Sequence, residues 1–455
     1  MLSGHLNRVG RALSYLYVAG LAVPLFIFPG YGTTNLTLIF RPAAEVFRDS
    51  QALRIHWVVV LAGLVGGFFL VRWFLERRIE VPGRIVPIAC LLATFAVALV
   101  AGLFVRPSWL NVVYFVQSTI PLVGFLVGGY LAGSTAGIRR ICFVLIGAST
   151  FSIVCILVLA YSFGALSTDI TAANRLARAV PQSRDYFPFI AVSSLSLTLA
   201  VFQFSQTTRQ KALVGAAITA HLVFYTIVWS RMAFLMLAVV VAARLVLMGW
   251  YGWQGAWRRR IVLAIALIGG ATLLFTQVGI FKARREGGEL QRSDSRRIAY
   301  LLEGASLVAE NPIFGRMFIA DWTRDPHPER DLRIPRIYKV HNQYLDYGIR
   351  AGLPALLVLL WIMWIIARDL RTSLRSSAGS PERQSLAIGI SAALLAVVVG
   401  NLTQLFLVQA QTGSLAWLLA GTAASMARLP SDQKECTAID DGPEGAGDNA
   451  LMESR

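Results

Sequence analysis

Three places in the chain bring together residue types that can handle a proton and an anionic leaving group. His341-Asn342 precedes a short amphipathic stretch. Arg296-Arg297 lies in the same polar segment, and Ser230-Arg231 separates two apolar runs with hardly any loop between them. A guanidinium grips phosphate oxygens bidentately, whereas an ammonium acts as a point charge. Arginines and a helix N-terminus near His341 both disfavour the imidazolium, so a lowered pKa and a neutral ring able to take a proton are expected. Each signal also has a plain reading. A lone histidine is more often a surface or hydrogen-bonded residue, and an arginine at a span end can snorkel to the interface. Ionisable residues at membrane depth usually face a cavity, so both readings of Arg231 stand at this point.

The elements that must position these residues come next. Residues 280–351 form the one long polar segment, with 13 Lys or Arg against 10 acids. Within it Ile298, Leu301, Leu302, Ala305 and Val308 recur at helical spacing and Asn311-Pro312 ends the run, which predicts a helix over about 295–310 capped by Ser293 or Asp294. Arg296 and Arg297 would then sit in its first turn, beside free N–H groups, as a phosphate cradle for which Asp294 competes. A second short helix is expected from near His341 through Tyr347 toward Gly352, with Pro354 in the first turn of the next membrane helix. A basic outer loop is also permitted without function, because long loops cross regardless of charge.

Composition decides the solvent. Of 455 residues 56% are hydrophobic and 15% charged, at a mean hydropathy of +0.60, against roughly 45–50% and about 25% in soluble domains. Twelve apolar runs can each cross a bilayer: 12–29, 55–74, 85–105, 112–132, 141–163, 186–204, 212–229, 232–248, 261–279, 352–367, 385–408 and 414–427. The expected fold is an all-α polytopic membrane protein of about 12 transmembrane helices. Spans 1–9 fall in residues 1–279, a functional loop in 280–351, spans 10–12 in 352–427, and a disordered cytoplasmic tail in 428–455. Residues 33–40 are too short to span and read as an interfacial or re-entrant piece. With the N-terminus inside, short inner segments carry 16 Lys or Arg and short outer ones 8. The positive-inside rule therefore places both termini in the cytoplasm and the large loop outside.

The net charge of +17 rests almost wholly on arginine, since only Lys211, Lys282, Lys339 and Lys434 are lysines. Most of that excess reads as composition and topology signal, and so apolar a chain is not expected to bind nucleic acid. Cys90, Cys142, Cys155 and Cys436 show no disulfide framework or metal-ligand spacing. No cleavable signal peptide is expected, and no internal repeat of the kind that marks many transporters is visible.

The chain resembles the O-antigen ligase and polymerase superfamily of bacterial envelope glycosyltransferases. Three pieces in order carry the likeness. Trp229-Ser230-Arg231-Met232 looks like the family's Ser-Arg pair at an outer span end. Arg296, four residues before Tyr300 and followed by Asn311-Pro312-Ile313-Phe314-Gly315, matches its arginine-aromatic and Asn-Pro-x-x-Gly pieces. His341-Asn342, nine residues and Gly352-Leu353-Pro354-Ala355 stand for its His-Asn and Gly-x-x-Gly. Ala355 replaces the last glycine, and Met317 stands where many relatives repeat one after Gly315.

The resemblance implies a metal-free, cofactor-free, inverting glycosyltransferase of the integral-membrane type C architecture in the bacterial inner membrane, with a helical periplasmic loop between spans 9 and 10 and its site facing the periplasm. It would move O-antigen polysaccharide from undecaprenyl diphosphate to a sugar hydroxyl of the lipid A core, building lipopolysaccharide. In that chemistry His341 is the general base and Asn342 orients ring or acceptor. Arg231 and Arg296 bind the donor diphosphate, with Arg297, Arg175 and Arg178 as further candidates. No Asp-x-Asp motif lies on the outer side, so arginine can neutralise the diphosphate in place of Mg²⁺. The same pattern fits an O-antigen polymerase and a protein O-oligosaccharyltransferase, which differ in acceptor. A flippase of lipid-linked sugars would bind the diphosphate without needing a histidine base.

Overall fold

In the computed structural model the described residues are 2–22, 35–37, 54–76, 85–162, 187–227, 231–251, 289–319, 321–324, 333–336, 340–377, 379–402, 404–405, 407 and 410–430. The helices are α1 (Leu2–Ala22), α2 (Trp57–Glu76), α3 (Ile85–Val105), α4 (Trp109–Thr119), α5 (Val123–Leu131), α6 (Thr135–Ser162), α7 (Phe187–Phe204), α8 (Thr208–Ile227), α9 (Arg231–Trp250), α10 (Glu289–Glu310), α11 (Gln343–Ser376), α12 (Pro381–Gly400) and α13 (Ala410–Met426). Seven helical segments are long and apolar enough to cross a membrane: 85–105, 111–131, 135–162, 187–204, 232–250, 343–376 and 381–400. The chain is a polytopic membrane protein whose membrane-spanning segments are all helical. The expected spans at 55–74, 212–229 and 414–427 overlap α2, α8 and α13, and that at 12–29 overlaps α1 over residues 12–22, its remainder lying outside the described residues. The expected span 261–279 and nearly all of the tail lie outside the described residues.

Two small antiparallel ladders were not foreseen. Asn35–Thr37 (β1) pairs with Arg54–His56 (β2), so part of the presumed interfacial piece is a short strand. Asp321–Arg324 (β3) pairs with Arg333–Arg336 (β4) within the large loop.

Lipid tails are as apolar as leucine, so the helices are held by close packing of small residues and by buried hydrogen bonds rather than by a hydrophobic drive. A Cβ at Gly124 or Gly128 of α5 would strike the backbone of α13 at Ser414 or Leu418, and one at Gly421 of α13 would strike Phe125. The backbones of α5 and α13 therefore touch. Between α7 and α12, the Ser196 hydroxyl donates to the Gly389 carbonyl at 2.7 Å and the Ser385 hydroxyl to that of Ala200 at 2.9 Å. Arg383, 1% exposed, donates to the Met426 and Leu429 carbonyls at 3.1 and 2.8 Å. It thereby satisfies carbonyls that the end of α13 leaves without helical partners.

The order of contacts fixes direction. The Gln384 amide, at the start of α12, donates to the carbonyl of Tyr251, just past α9. The two helices run antiparallel, and Arg231, some 30 Å away at 1.5 Å per residue, lies at the end of the bundle where α12 finishes.

Candidate active site at the start of helix α11

Helix α10 begins at Glu289, not near residue 295. Glu289 to Arg292 are good helix formers, and an acid at the first position complements the helix dipole, so the helix runs back past Ser293-Asp294. Arg296 and Arg297 are consequently inside it, where the backbone N–H groups are bonded along the helix. The first-turn phosphate cradle is not formed. What the two arginines retain is their place: one turn before Tyr300, on its face of the helix.

Helix α11 has the expected two parts. Gln343 to Arg350 form a short helix, Ala351 (φ −141°) and Gly352 (φ +77°) break it, and the membrane helix resumes with Pro354 in its first turn. There the missing proline N–H costs nothing. Asn342 is the N-cap: its Oδ1 accepts from the backbone N–H groups of Tyr344 at 3.0 Å and Leu345 at 3.1 Å. Its Nδ2 donates to the Leu402 carbonyl at 3.2 Å. Asn342 thus acts on the backbone, and any effect on the ring of His341 passes through the chain.

His341 immediately precedes this cap in a left-handed conformation, φ +51°. A non-glycine residue there carries roughly 1–2 kcal/mol of strain, and such strain clusters where a side chain must be aimed. The neighbours hold it in place. Val340 is fully buried against Gly304 of α10, where a Cβ would come within 2.6 Å of a Val340 methyl. Leu307 and Val308 of α10 pack with Val340 and Ile349 in a small separate core. His341 itself is half-buried, with its ring 6.2 Å from that of Tyr300 at 37°. The aromatic one turn beyond the paired arginines therefore meets the histidine.

The turn after α10 secures the same junction. Gly315 (φ +60°) donates its N–H to the Asn311 carbonyl at 2.9 Å. Arg316 N–H donates to Ile349 at 2.5 Å, and Leu353 N–H to Pro312 at 2.7 Å. The Asn-Pro-x-x-Gly piece and the Gly352 break are two halves of one interlock. Met317 also has a positive φ, 54°, the conformation that a glycine adopts freely.

A buried polar network behind His341 escaped the sequence reading. Arg350 Nε donates to Asp346 Oδ2 at 2.6 Å and its Nη1 to the Ser118 hydroxyl of α4 at 3.0 Å. Gln343 Nε2 donates to the same carboxylate at 3.4 Å, its Oε1 accepts from Leu407 N–H at 2.9 Å, and its own N–H donates to Asn401 at 2.8 Å. The signal was available in the i, i+4 spacing of Asp346 and Arg350 on an otherwise apolar helix.

Among the expected site residues, the structure brings His341, Asn342 and the helix bearing Arg296 and Arg297 together. Arg297 is half-buried. Arg231 opens α9 at the same end of the bundle, and Arg175 and Arg178 lie outside the described residues.

Compared with known proteins, residues 215–360 match the family model described as O-antigen ligase. No curated protein matches the chain. The matched stretch runs from α8 into the membrane part of α11 and contains Arg231, Arg296, Arg297, His341 and Asn342. Over residues 215–360 this membrane protein is thus similar to the O-antigen ligase family.

Proposed function

With that match as premise, we propose that the chain is the ligase that transfers O-antigen polysaccharide from undecaprenyl diphosphate to a sugar hydroxyl of the lipid A core. The observation that carries the reading is the placement of His341. It is aimed by a left-handed backbone just before a capped helix, against Tyr300, with Arg296 and Arg297 one turn away on α10.

The reaction forms one bond and breaks one at the anomeric carbon. The acceptor oxygen attacks and its proton passes to the neutral imidazole of His341, a contribution typically worth ~10²–10⁴-fold. On the opposite face the bond from carbon to diphosphate oxygen breaks and the configuration inverts. Charge grows on the leaving diphosphate, where the guanidinium groups of Arg231 and Arg296 meet it, with Arg297, Arg175 and Arg178 as further partners. Fixed cations placed where charge develops need no reorganisation in the transition state. Arginine neutralisation takes the place of a metal and no cofactor is required. In this reading the type C architecture is set in the bacterial inner membrane, both termini are cytoplasmic, and His341 faces the periplasm.

The test is reconstitution of purified full-length protein with undecaprenyl-diphosphate polysaccharide and lipid A core, following product by gel shift. Transfer by wild type and none by His341→Ala, with donor binding retained, is the expected result. Chain lengthening on lipid-linked repeats instead would make the protein a polymerase. Transfer to a protein acceptor would make it an O-oligosaccharyltransferase. Donor binding with no bond formed in any of these assays would point to a flippase.

A further inference from the structure

Helices α9, α11, α12 and α13 enclose an open-sided groove of about 1200 Å³. Its walls are mainly aliphatic, and no Asp or Glu among the described residues lines it. Along α11 the lining residues Leu359, Ile362, Met363, Ile366, Leu370 and Leu374 form one helical stripe. Over residues 359–375 that stripe runs for about 24 Å at 1.5 Å per residue.

The groove is chemically lopsided. At one end it meets Asn401 and Leu407, the residues bonded to Gln343 beside His341. At the other end it is lined by Arg371 and Arg375, spaced i, i+4 on the groove face of α11, together with Trp250 and Tyr251 at the end of α9. Both arginines are exposed. Amphipathic aromatics mark headgroup depth, and paired guanidinium groups at that depth offer bidentate partners for a phosphodiester. Below them the wall is predominantly apolar, with Ser391 and Asn401 as polar exceptions. An amphiphile with an anionic head and apolar chains matches this order of surfaces, and basic pockets between membrane helices are where such headgroups bind.

We propose that this groove holds an anionic glycerophospholipid of the surrounding membrane, its phosphodiester on Arg371 and Arg375 and its acyl chains along α9, α11 and α12. The arginine end that holds the phosphodiester lies at the opposite end of the bundle from His341, and the proposal is independent of the transferase reading. Its effect would be to tie together the ends of α9 and α11, which the Gln384–Tyr251 contact joins only through α12.

Native mass spectrometry of the detergent-purified full chain tests it, with phosphatidylglycerol and phosphatidylethanolamine of identical acyl chains added at equal concentration. Wild type is expected to retain the anionic lipid about tenfold better, the order expected for two cations near one phosphate. Arg371→Ala with Arg375→Ala should bring the two lipids to parity, and the matching lysine pair should restore part of the preference. Ala242→Trp, which fills the groove from α9, should reduce retention of both lipids. Equal retention by wild type, or an undiminished preference in the alanine pair, would overturn the proposal. So would retention of an added undecaprenyl phosphate that falls in the alanine pair while phosphatidylglycerol binding stays constant, since the arginines would then serve a polyprenyl lipid.

Discussion

Gly315 and Gly352 are built against each other. Each has a left-handed backbone, and a Cβ on Gly315 would lie 2.6 Å from the Gly352 amide nitrogen and 2.5 Å from the Ile349 carbonyl oxygen. A Cβ on Gly352 would in turn strike the carbonyl of Ile313. The turn that ends α10 is thereby locked to the break that separates the short helix beginning after His341 from the membrane helix. Substitution at either position combines ~1–2 kcal/mol of backbone strain with backbone clash. Gly315→Ala and Gly352→Ala are therefore expected to lower transfer by tenfold or more and to lower the unfolding temperature in detergent. Wild-type activity in both would mean the interlock does not position the site.

His341→Ala is expected to reduce turnover by about 10²–10⁴-fold while leaving the unfolding temperature unchanged or raised, since alanine removes the side chain but not the fold. A stability loss matching the activity loss would assign His341 a packing role. In the same assay Arg231→Ala and Arg296→Ala should weaken donor binding and turnover, and normal kinetics in both would move the diphosphate site elsewhere.

Asp346 and Arg350 form a buried ion pair, with side chains 0% and 8% exposed. Removing one partner leaves the other charge uncompensated, at a cost of about 3–5 kcal/mol. Asp346→Ala and Arg350→Ala are each expected to destabilise the protein strongly, whereas the double variant Asp346→Leu with Arg350→Met should recover most of the loss. Equal destabilisation by single and double variants, measured by thermal unfolding, would show that the pair is not an energetic unit.

Gln343, two residues after His341, holds Asn401 and Leu407 against the start of α11 and is expected to act as a positioning residue. Gln343→Ala leaves the buried Leu407 N–H without its acceptor, a penalty of about 1–3 kcal/mol, and loosens the 401–407 segment beside the site. Turnover should fall while donor affinity holds. A change confined to KM would make Gln343 part of donor binding instead.

Among the described residues no three His, Cys, Asp or Glu side chains are grouped so as to hold a metal ion. Because arginines take the place of a metal in the proposed mechanism, transfer is expected to survive treatment with EDTA. Activity lost to the chelator and restored by added Mg²⁺ would replace the arginine mechanism with a metal-assisted one.

The polytopic helical fold was legible in the amino-acid sequence. Continuous runs of about twenty apolar residues cross a bilayer as helices, which bond their own backbone polar groups, whereas the other spanning solution, a closed barrel, needs strands of alternating polarity. Also legible there were the family pattern and the position of the short helix after His341, because Asn342, Gly352 and Pro354 act locally as cap, break and first-turn residue. The start of α10 is not encoded by Ser293-Asp294, which is a good cap only where the preceding residues do not themselves favour helix, and Glu289 to Arg292 do. Tertiary structure decided what spacing does not encode. The Tyr300–His341 approach, the joining of Gly315 to Gly352 and the Gln343 bonds to Asn401 and Leu407 all link segments far apart in sequence. Their geometry depends on how α10, α11 and the α12–α13 connection pack. The groove ending at Arg371 and Arg375 emerged in the same way: each wall reads alone as an ordinary membrane helix, and only their arrangement leaves space between them.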